Sequence, residues 1–423
     1  MNTLSLIRRL SALFLGMALL VAGNGLYGTL LSLRAAAEGF SPAVIGGLTT
    51  SFFAGYLAAS LVAPPLIARA GLARSFAVAA SLVSTVALLT ALWVSESAWL
   101  LLRGLHGACF ASAIIIAEGW LNAEAGTRLR GQVMGAYSAV YLGAWTLSQA
   151  LVTAASPTGF QLFSLVSILF SVALIPLLLT PHDNSPDVSV ERVPLRRLVQ
   201  LAPVGVLGCL LGGAIINALL GLTPLYGHRI GLGSGQVAAL MAALVGGALF
   251  TQWPLGWLSD RQDRRLILAA TAALAMVITL VLASTSPSRP AAIALLLLAL
   301  GASVMPLYPL AVAQANDRVE ARDSVGVMSS LLVVYALGAM LGAAAAGAAM
   351  SRFGPSALFW TVAVLLLLLS GAALAHWCRR PAVAPEAKEA FVAVPASSHM
   401  LPSMDPRAEP QDAPAADGER SAT

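Results

Sequence analysis

The chain has 423 residues, of which 58% are hydrophobic and only 10% are charged, with a formal net charge of +5 and a mean hydropathy of +0.83. A soluble domain carries about 25% charged residues, so this composition excludes a water-soluble globular protein for most of the chain. The excess of positive charge comes from arginines beside apolar segments and needs no nucleic-acid partner.

Apolar stretches recur along the chain, and each is long enough for a bilayer-spanning helix, which needs roughly 20 residues. They are uniformly apolar, so they predict helices and exclude the alternating strands of a membrane barrel. About twelve spans are predicted. In chain order they cover residues 10–34, 43–68, 74–94, 97–123, 131–155, 159–180, 199–226, 235–259, 265–285, 290–315, 323–350 and 355–378.

The first span follows Arg8 and Arg9, a pattern also typical of a cleaved signal. Its apolar run is about 24 residues long, which favours an uncleaved helix. Most other arginines gather on one side of the predicted topology, and the opposite side holds Arg34, Arg229, Arg289 and Arg352. Because positive loops stay cytoplasmic, we expect a bacterial inner-membrane protein with both termini inside.

An internal repeat is visible at a nearly constant shift. Gly55 matches Gly247 at a shift of 192 residues, and Asn24 matches Asn217 at 193. Gly107 matches Gly301 at a shift of 194. Secondary transporters are often built from duplicated helix bundles. The sequence therefore predicts an all-α membrane protein with two pseudo-symmetric bundles of about six helices each.

The predicted division assigns residues 1–180 to the first bundle, 181–198 to a cytoplasmic linker and 199–380 to the second bundle. Residues 381–423 are rich in Pro, Ala and acidic residues and predict a disordered tail. The three cysteines fall inside or at the end of apolar spans, so neither a disulfide framework nor a metal site is indicated.

A motif lies between the eighth and ninth spans. It consists of Gly256, Leu258, Asp260, Arg261, Arg264 and Arg265. This pattern resembles the signature loop of the major facilitator superfamily, with Asp263 where that pattern has Gly. The corresponding first-half loop keeps only Arg69 and Gly71.

Arg103 and Gly107 add an Arg-x-x-x-Gly pattern similar to the superfamily's motif in its fourth helix. The run from Arg103 to Gln149 is most similar to the YcaD-type branch of the superfamily. The resemblance implies two bundles that rock against each other, with the signature loop acting as a gate on the cytoplasmic side. We expect Asp260 to approach the helix N-terminus near Gly131, where a carboxylate is stabilised.

Two ionisable residues lie clearly inside predicted spans, where a charge costs at least about 2.5 kcal/mol. Arg103 and Glu118 are 15 residues apart on one helix, too far to pair directly. Arg103 is either satisfied by backbone carbonyls or serves in proton coupling or anion binding. Glu118 either packs against a buried polar neighbour or takes up and releases a proton during transport.

Asn24 and Asn217 occupy equivalent places in the two halves and either bond to a neighbouring helix or face a central cavity. Tyr137, Tyr141, Trp145 and Gln149 recur every four residues on the fifth span. This stripe predicts either a cavity wall or an ordinary lipid-facing or core surface. A second stripe on the same span consists of Gly131, Gly135, Ala139 and Gly143 and predicts a packing face.

We therefore predict a monomeric secondary transporter for a small molecule, driven by protons and embedded in the lipid bilayer. The chain lacks a nucleotide-binding phosphate loop, and no cofactor or metal is expected. Its histidines are scattered, which argues against an enzyme, while a transporter-like sensor or scaffold without flux stays open. Few buried charges argue against a multiply charged substrate. A cavity edged with aromatics, two Asn and one carboxylate favours a neutral or weakly cationic organic molecule, and uptake and efflux both stay open.

Overall fold

A computed structural model gives the fold of the chain. The structure describes residues 3–179, 194–285, 289–319 and 324–379, together with Lys388 and Phe391. The side chains of residues 3–9, 122–131 and 324–326 and of positions 61, 64 and 68 lie outside this description. The predicted linker before residue 194 and most of the predicted tail also lie outside it.

The described residues form helices throughout, as expected where lipid cannot satisfy free backbone groups. The helices are α1 (Thr3–Ala37), α2 (Pro42–Ala70), α3 (Leu72–Leu92), α4 (Glu96–Ser148), α5 (Gln161–Leu179), α6 (Leu195–Leu201), α7 (Pro203–Arg229), α8 (Ser234–Arg261), α9 (Arg264–Ser284), α10 (Pro290–Val304), α11 (Leu307–Asn316), α12 (Ser324–Phe353) and α13 (Ala357–Arg379). A short 3₁₀ segment, Gln149–Ala154, follows α4.

Helix α4 contains two antiparallel limbs. It covers 53 residues. In a straight helix the 19 residues from Glu118 to Tyr137 would span about 28 Å, yet the two side chains are joined by a 2.5 Å hydrogen bond. The chain must therefore reverse between a first limb, residues 96–121, and a second limb, residues 132–148. These limbs correspond to the predicted spans 97–123 and 131–155.

Within the described residues, eleven segments are long and apolar enough to cross a membrane. The predicted span 131–155 is not among them, since its side chains are described only from residue 132 and its helix passes into the 3₁₀ segment after Ser148. The predicted span 290–315 is divided into α10 and α11 at Met305 and Pro306. Proline has no backbone N–H to continue the helical ladder, which accounts for this break.

The two halves repeat the same helix packing. In the first half α2 packs on α4, α3 on α5 and α1 on α5, and in the second half α8 packs on α10, α9 on α13 and α7 on α13. The halves meet where α2 packs on α12 and α4 packs on α8. These two contacts are equivalent under the repeat, as expected for a pseudo-two-fold arrangement of the bundles.

Paired glycines set the closest helix contacts in both halves. A Cβ at Gly55 would collide with the carbonyl of Gly104, and one at Gly107 with the carbonyl of Phe52. In the second half the equivalent Gly247 and Gly301 stand against the backbone of the facing helix in the same way. Because only glycine permits such close backbone approach, the matched glycines of the sequence repeat lie at matched contacts.

Candidate functional site

A cavity of about 1200 Å³, its open mouth included, lies between the two halves. Its walls come from α1, α2 and α4 of the first half and from α7, α8 and α12 of the second. The polar and amphipathic side chains that line it are Asn24, Thr29, Ser32, Thr49, Arg103, Ser138, Tyr141, Trp145, Asn217, Gln252 and Tyr335. A central cavity bounded by both halves is where secondary transporters hold their substrates.

One end of the cavity is closed by direct contact between the halves. Ser32 Oγ donates to the carbonyl of Gly221 over 2.7 Å, and Thr50 Oγ1 donates to that of Met340 over 2.9 Å. Beyond them, the backbone N–H of Ala43 donates to Ser351 Oγ. The arginine distribution predicts that this end faces away from the cytoplasm. On that orientation the structure is closed toward the outside.

The two repeat-related asparagines both line the cavity, and each is fixed by an aromatic partner in its own half. Asn24 Oδ1 lies 3.1 Å from Nε2 of His106. Asn217 Nδ2 donates to Tyr335 Oη and to the carbonyl of Gly213, both at 2.9 Å. The two amides thus hold equivalent positions in the sequence repeat and have different partners.

Arg103 lines the cavity from the first limb of α4. Its guanidinium carbon lies 4.6 Å from the ring centre of Phe52 and 5.2 Å from that of Tyr27. Such cation–π contacts are worth about 0.5 to 2 kcal/mol each. Its Nη1 is buried without a hydrogen-bond partner, and the described part of the chain holds no ion pair to this arginine. The backbone carbonyls that one prediction assigned to Arg103 are not found there.

His106, one turn beyond Arg103, was treated in the sequence only as a scattered histidine. It is fully buried among the rings of Tyr27, Phe52 and Phe110. Its Nε2 bonds to Asn24, whereas its Nδ1 has no partner. The spacing of three residues from Arg103 on one helix face was the available signal for this placement.

Glu118 lies behind the cavity wall. It is fully buried, and Tyr137 donates its hydroxyl to Glu118 Oε1 over 2.5 Å. The Tyr137 ring contacts Tyr141 at 6.0 Å between centroids, and Tyr141 contacts Trp145 at 5.8 Å. Because Tyr141 and Trp145 line the cavity, an aromatic ladder connects the carboxylate with the cavity wall.

Two members of the predicted aromatic stripe do not face the cavity. Tyr137 is turned to Glu118, and Gln149 is buried where its Oε1 accepts a 2.7 Å hydrogen bond from Thr29. A spacing of four residues defines a broad helix face but not which part of that face reaches a cavity. Only Tyr141 and Trp145 of this stripe therefore line the cavity.

The second stripe of the fifth span was wrongly predicted to be a packing face. Gly135 and Gly143 have open space where a Cβ would stand, and Ala139 is exposed. The surroundings of Gly131 lie outside the described side chains. The second limb packs through its aromatic face instead, so the small residues on the opposite face point outward.

The signature loop forms a charge cluster within the second half. Arg264 is almost fully buried, and its Nε donates to Asp317 over 2.7 Å. The same guanidinium pairs with Asp260 at 3.0 Å and donates to Ser259. Asp317 was not singled out in the sequence, although it is the acidic residue that follows α11. Burial raises the pKa of Asp317, and the nearby Arg264 offsets this only in part.

Asp263 replaces the glycine of the family pattern and has a structural role. Its carboxylate caps α9 through the backbone N–H of Arg265 at 2.9 Å and binds that side chain at 3.0 and 2.6 Å. Burial alone would raise the pKa of Asp263, but the hydrogen bonds from Arg265 outweigh it and lower the pKa below its usual range. Arg265 also donates to the carbonyl of His376.

The predicted approach of Asp260 to the helix N-terminus near Gly131 falls outside the described side chains. Within the described residues, Asp260 has a partner from the tail. Its carboxylate accepts the backbone N–H of Phe391 at 3.0 and 3.1 Å. The Phe391 ring stands against Gly256, and Lys388 Nζ donates to the carbonyl of Gln262 over 2.5 Å. The remaining loop residue, Arg261, lies 3.8 Å from the ring centre of Trp257.

Comparisons with known proteins give the family. The profile of the Major Facilitator Superfamily matches residues 13–331. Over 372 residues, the chain is 30% identical to proteins named "Uncharacterized MFS-type transporter YcaD" from Escherichia coli O139:H28 and strain SMS-3-5, covering 86% of this chain and 96% of each relative.

Solved structures share the fold. The nucleoside transporter NupG (D323A mutant) has a TM-score of 0.74 at 12% identity, covering 87% of this chain and 100% of that one. The D-xylose-proton symporter has a TM-score of 0.70 at 14% identity, covering 91% and 99%. The chain therefore belongs to the major facilitator superfamily of membrane transporters, with YcaD-type proteins among its relatives.

Proposed function

We propose that this protein is a secondary active transporter that carries a small organic solute by alternating access and couples its movement to protons through Glu118. Family membership supports transport through the membrane. The cavity between two repeat-related bundles supports alternating access, because the contacts at its closed end join opposite halves and can separate when the bundles rock.

The observation that carries proton coupling is the burial of Glu118 beside Tyr137. A carboxylate removed from water inside a membrane protein is costly to maintain, and such groups often serve in proton relays. The Tyr137 hydroxyl donates to Glu118, and the ladder through Tyr141 and Trp145 leads to the cavity. A change in hydration of this wall during rocking would alter the affinity of Glu118 for a proton.

One of the structural neighbours is a D-xylose-proton symporter. At 14% identity that likeness concerns the fold, so the coupling in this chain rests on Glu118.

The proposal is tested by reconstituting the full chain in liposomes and measuring uptake of radiolabelled compounds with a pH gradient imposed in either direction. The compounds are benzoate, nicotinate, phenylacetate and benzenesulfonate, their amides, and benzylamine. We expect gradient-dependent accumulation of at least one compound by the native chain and none by Glu118→Gln. Glu38→Gln is the matched control, since Glu38 is a partly exposed carboxylate paired with Arg34 at the closed end.

Transport by the native chain that is equally fast without a gradient would contradict proton coupling. Unchanged accumulation by Glu118→Gln would contradict the assignment to this residue.

A further inference from the structure

The sequence predicts a neutral or weakly cationic substrate, but the charged side chain that lines the cavity is positive. Among the described residues that line the cavity, Arg103 is the only one with a charge. The carboxylate that would favour a cation, Glu118, lies behind the wall and is held by Tyr137. A solute in the cavity therefore meets a positive group and no negative one among these residues.

The Arg103 guanidinium is held in place but not neutralised. Phe52 and Tyr27 flank it, and no hydrogen bond or ion pair to it occurs within the described part of the chain. A buried cation normally has a paired anion, because removal from water is unfavourable without one. A guanidinium on a cavity wall can bind an oxyanion of a solute, because its fork of N–H groups fits a carboxylate in bidentate fashion.

A second donor lines the same cavity. Asn24 Oδ1 is engaged by His106 Nε2, one turn beyond Arg103, which leaves the Asn24 amide nitrogen as the group that can donate to a solute. The facing wall is different, since Asn217 uses its Nδ2 for Tyr335 and Gly213. The donors for an anion are thus concentrated in the first half.

Space and lining are consistent with an organic body attached to that anion. Gly28 stands beside the guanidinium, where even an added Cβ would remain 3.8 Å from Nη2. Phe52, Phe53 and Trp145 give the cavity aromatic walls, and the Phe52 ring lies 4.6 Å from the guanidinium carbon. Pockets of this type orient a ligand through a few polar groups and bind its apolar part by burial.

We infer that the substrate is a small organic monoanion whose carboxylate or similar oxyanion is bound by Arg103 and Asn24, with its apolar part between the aromatic walls. This deepens the proposed function and rests on it for transport, while the binding itself does not depend on flux. A bound monoanion would cancel the positive charge of Arg103, and a proton would remove the negative charge of Glu118. These two sites together would then carry no net charge while the bundles rock.

The test measures binding to the full chain in nanodiscs by isothermal titration calorimetry, with matched pairs that differ in charge but hardly in shape. The pairs are benzoate and benzamide, nicotinate and nicotinamide, and benzenesulfonate and benzenesulfonamide. For at least one pair the acid should bind about tenfold more tightly than the amide, the size expected for a charge-assisted contact. If no acid binds more tightly than its amide, the inference is wrong.

Arg103→Met should abolish this preference and reduce the ratio of affinities to about one, while Arg103→Lys should retain part of it because the charge stays and the fork is lost. Arg352→Met is the matched control, since Arg352 is an exposed arginine of α12 that lies against the Phe353 ring away from the cavity lining, and its loss should leave the ratio unchanged. If Arg103→Met does not fold, the ratio of acid to amide affinity of Arg103→Lys tests the role of Arg103. A ratio for Arg103→Lys equal to that of the native chain would overturn the assignment.

Binding and flux separate the two proposals. Preferential binding of acids without gradient-driven uptake would contradict the proposed function and support the anion site. Proton-driven uptake of amides with no preference for acids would support the function and overturn the anion site.

Discussion

The first half of the chain places two ionisable residues, Arg103 and Glu118, on the first limb of α4 within its helix bundle, whereas the second half buries Arg264 and Arg265 after the loop between α8 and α9. Arg103 faces the cavity and Glu118 bonds to a neutral tyrosine. In the second half, Arg264 and Arg265 bind carboxylates of their own half. The backbone plan is shared, so the difference in charge is not required by the fold.

This comparison separates two uses of buried charge. A paired charge at the membrane surface fixes a loop and stabilises the bundle it belongs to. A charge without a protein counterion beside a cavity stabilises little, and it is retained at a cost that a bound ligand can offset. We therefore expect substitutions in the loop cluster to affect stability and substitutions on α4 to affect transport.

The largest effect on stability is expected for Asp317→Asn. This change removes the negative charge 2.7 Å from the buried Arg264, while the pair with Asp260 at 3.0 Å remains, so the cost should be at the lower end of that for breaking a buried pair, about 3 kcal/mol. The melting temperature of the purified protein in detergent should fall by several degrees. Glu38→Gln is the control, because the pair Arg34–Glu38 is partly exposed and such pairs contribute about 1 kcal/mol or less. Equal shifts in both variants would remove the distinction between the two kinds of charge.

A smaller effect, equal in the two halves, is expected for Gly55→Ala and Gly247→Ala. Each added Cβ would collide with the backbone of the facing helix, and overpacking costs about 1 to 3 kcal/mol. Gly135→Ala is the control, because its Cβ would meet nothing within 4 Å. There alanine should be neutral or stabilising by up to about 1 kcal/mol. Thermal unfolding would show whether the two equivalent contacts contribute equally to stability. Strongly unequal melting temperatures for Gly55→Ala and Gly247→Ala would show that they do not.

The smallest effect concerns the tail. Phe391→Ala removes the ring against Gly256 and should weaken docking by about 1 kcal/mol. Lys388 is the single lysine of the chain, so a lysine-specific protease reports its release directly. Cleavage should become about fivefold faster, because it follows the undocked population. Phe353→Ala, at an exposed phenylalanine of α12, is the control. An unchanged cleavage rate for Phe391→Ala would show that the ring does not hold the tail.

Helix number and duplication could be predicted because bilayer thickness fixes the length of an apolar run and because glycines at close contacts recur at equivalent places. Asn24 and Asn217 were found through the same repeat. The reversal inside α4 was placed correctly between two spans, although the helix does not end there. The break at Pro306 was not predicted, although the proline is visible in the sequence. The apolar run around it is long enough to suggest one continuous span.

Other features depended on contacts that local patterns do not contain. The orientation of Tyr137 toward Glu118 and of Gln149 toward Thr29 is set by neighbouring helices. The pairing of Arg264 with Asp317 joins positions 53 residues apart, and that of Phe391 with Asp260 joins positions 131 apart. No periodicity connects such positions, so the loop cluster and the tail contact could not be derived from the sequence pattern.

The most direct test of the account compares two modes of transport in the same Glu118→Gln vesicles, using a compound that the native chain accumulates. Exchange of labelled for unlabelled compound requires rocking but no net proton movement, whereas accumulation against a gradient requires coupling. The account predicts that Glu118→Gln retains exchange and loses pH-driven accumulation. Retention of both activities, or loss of both in a folded protein, would contradict proton coupling through Glu118.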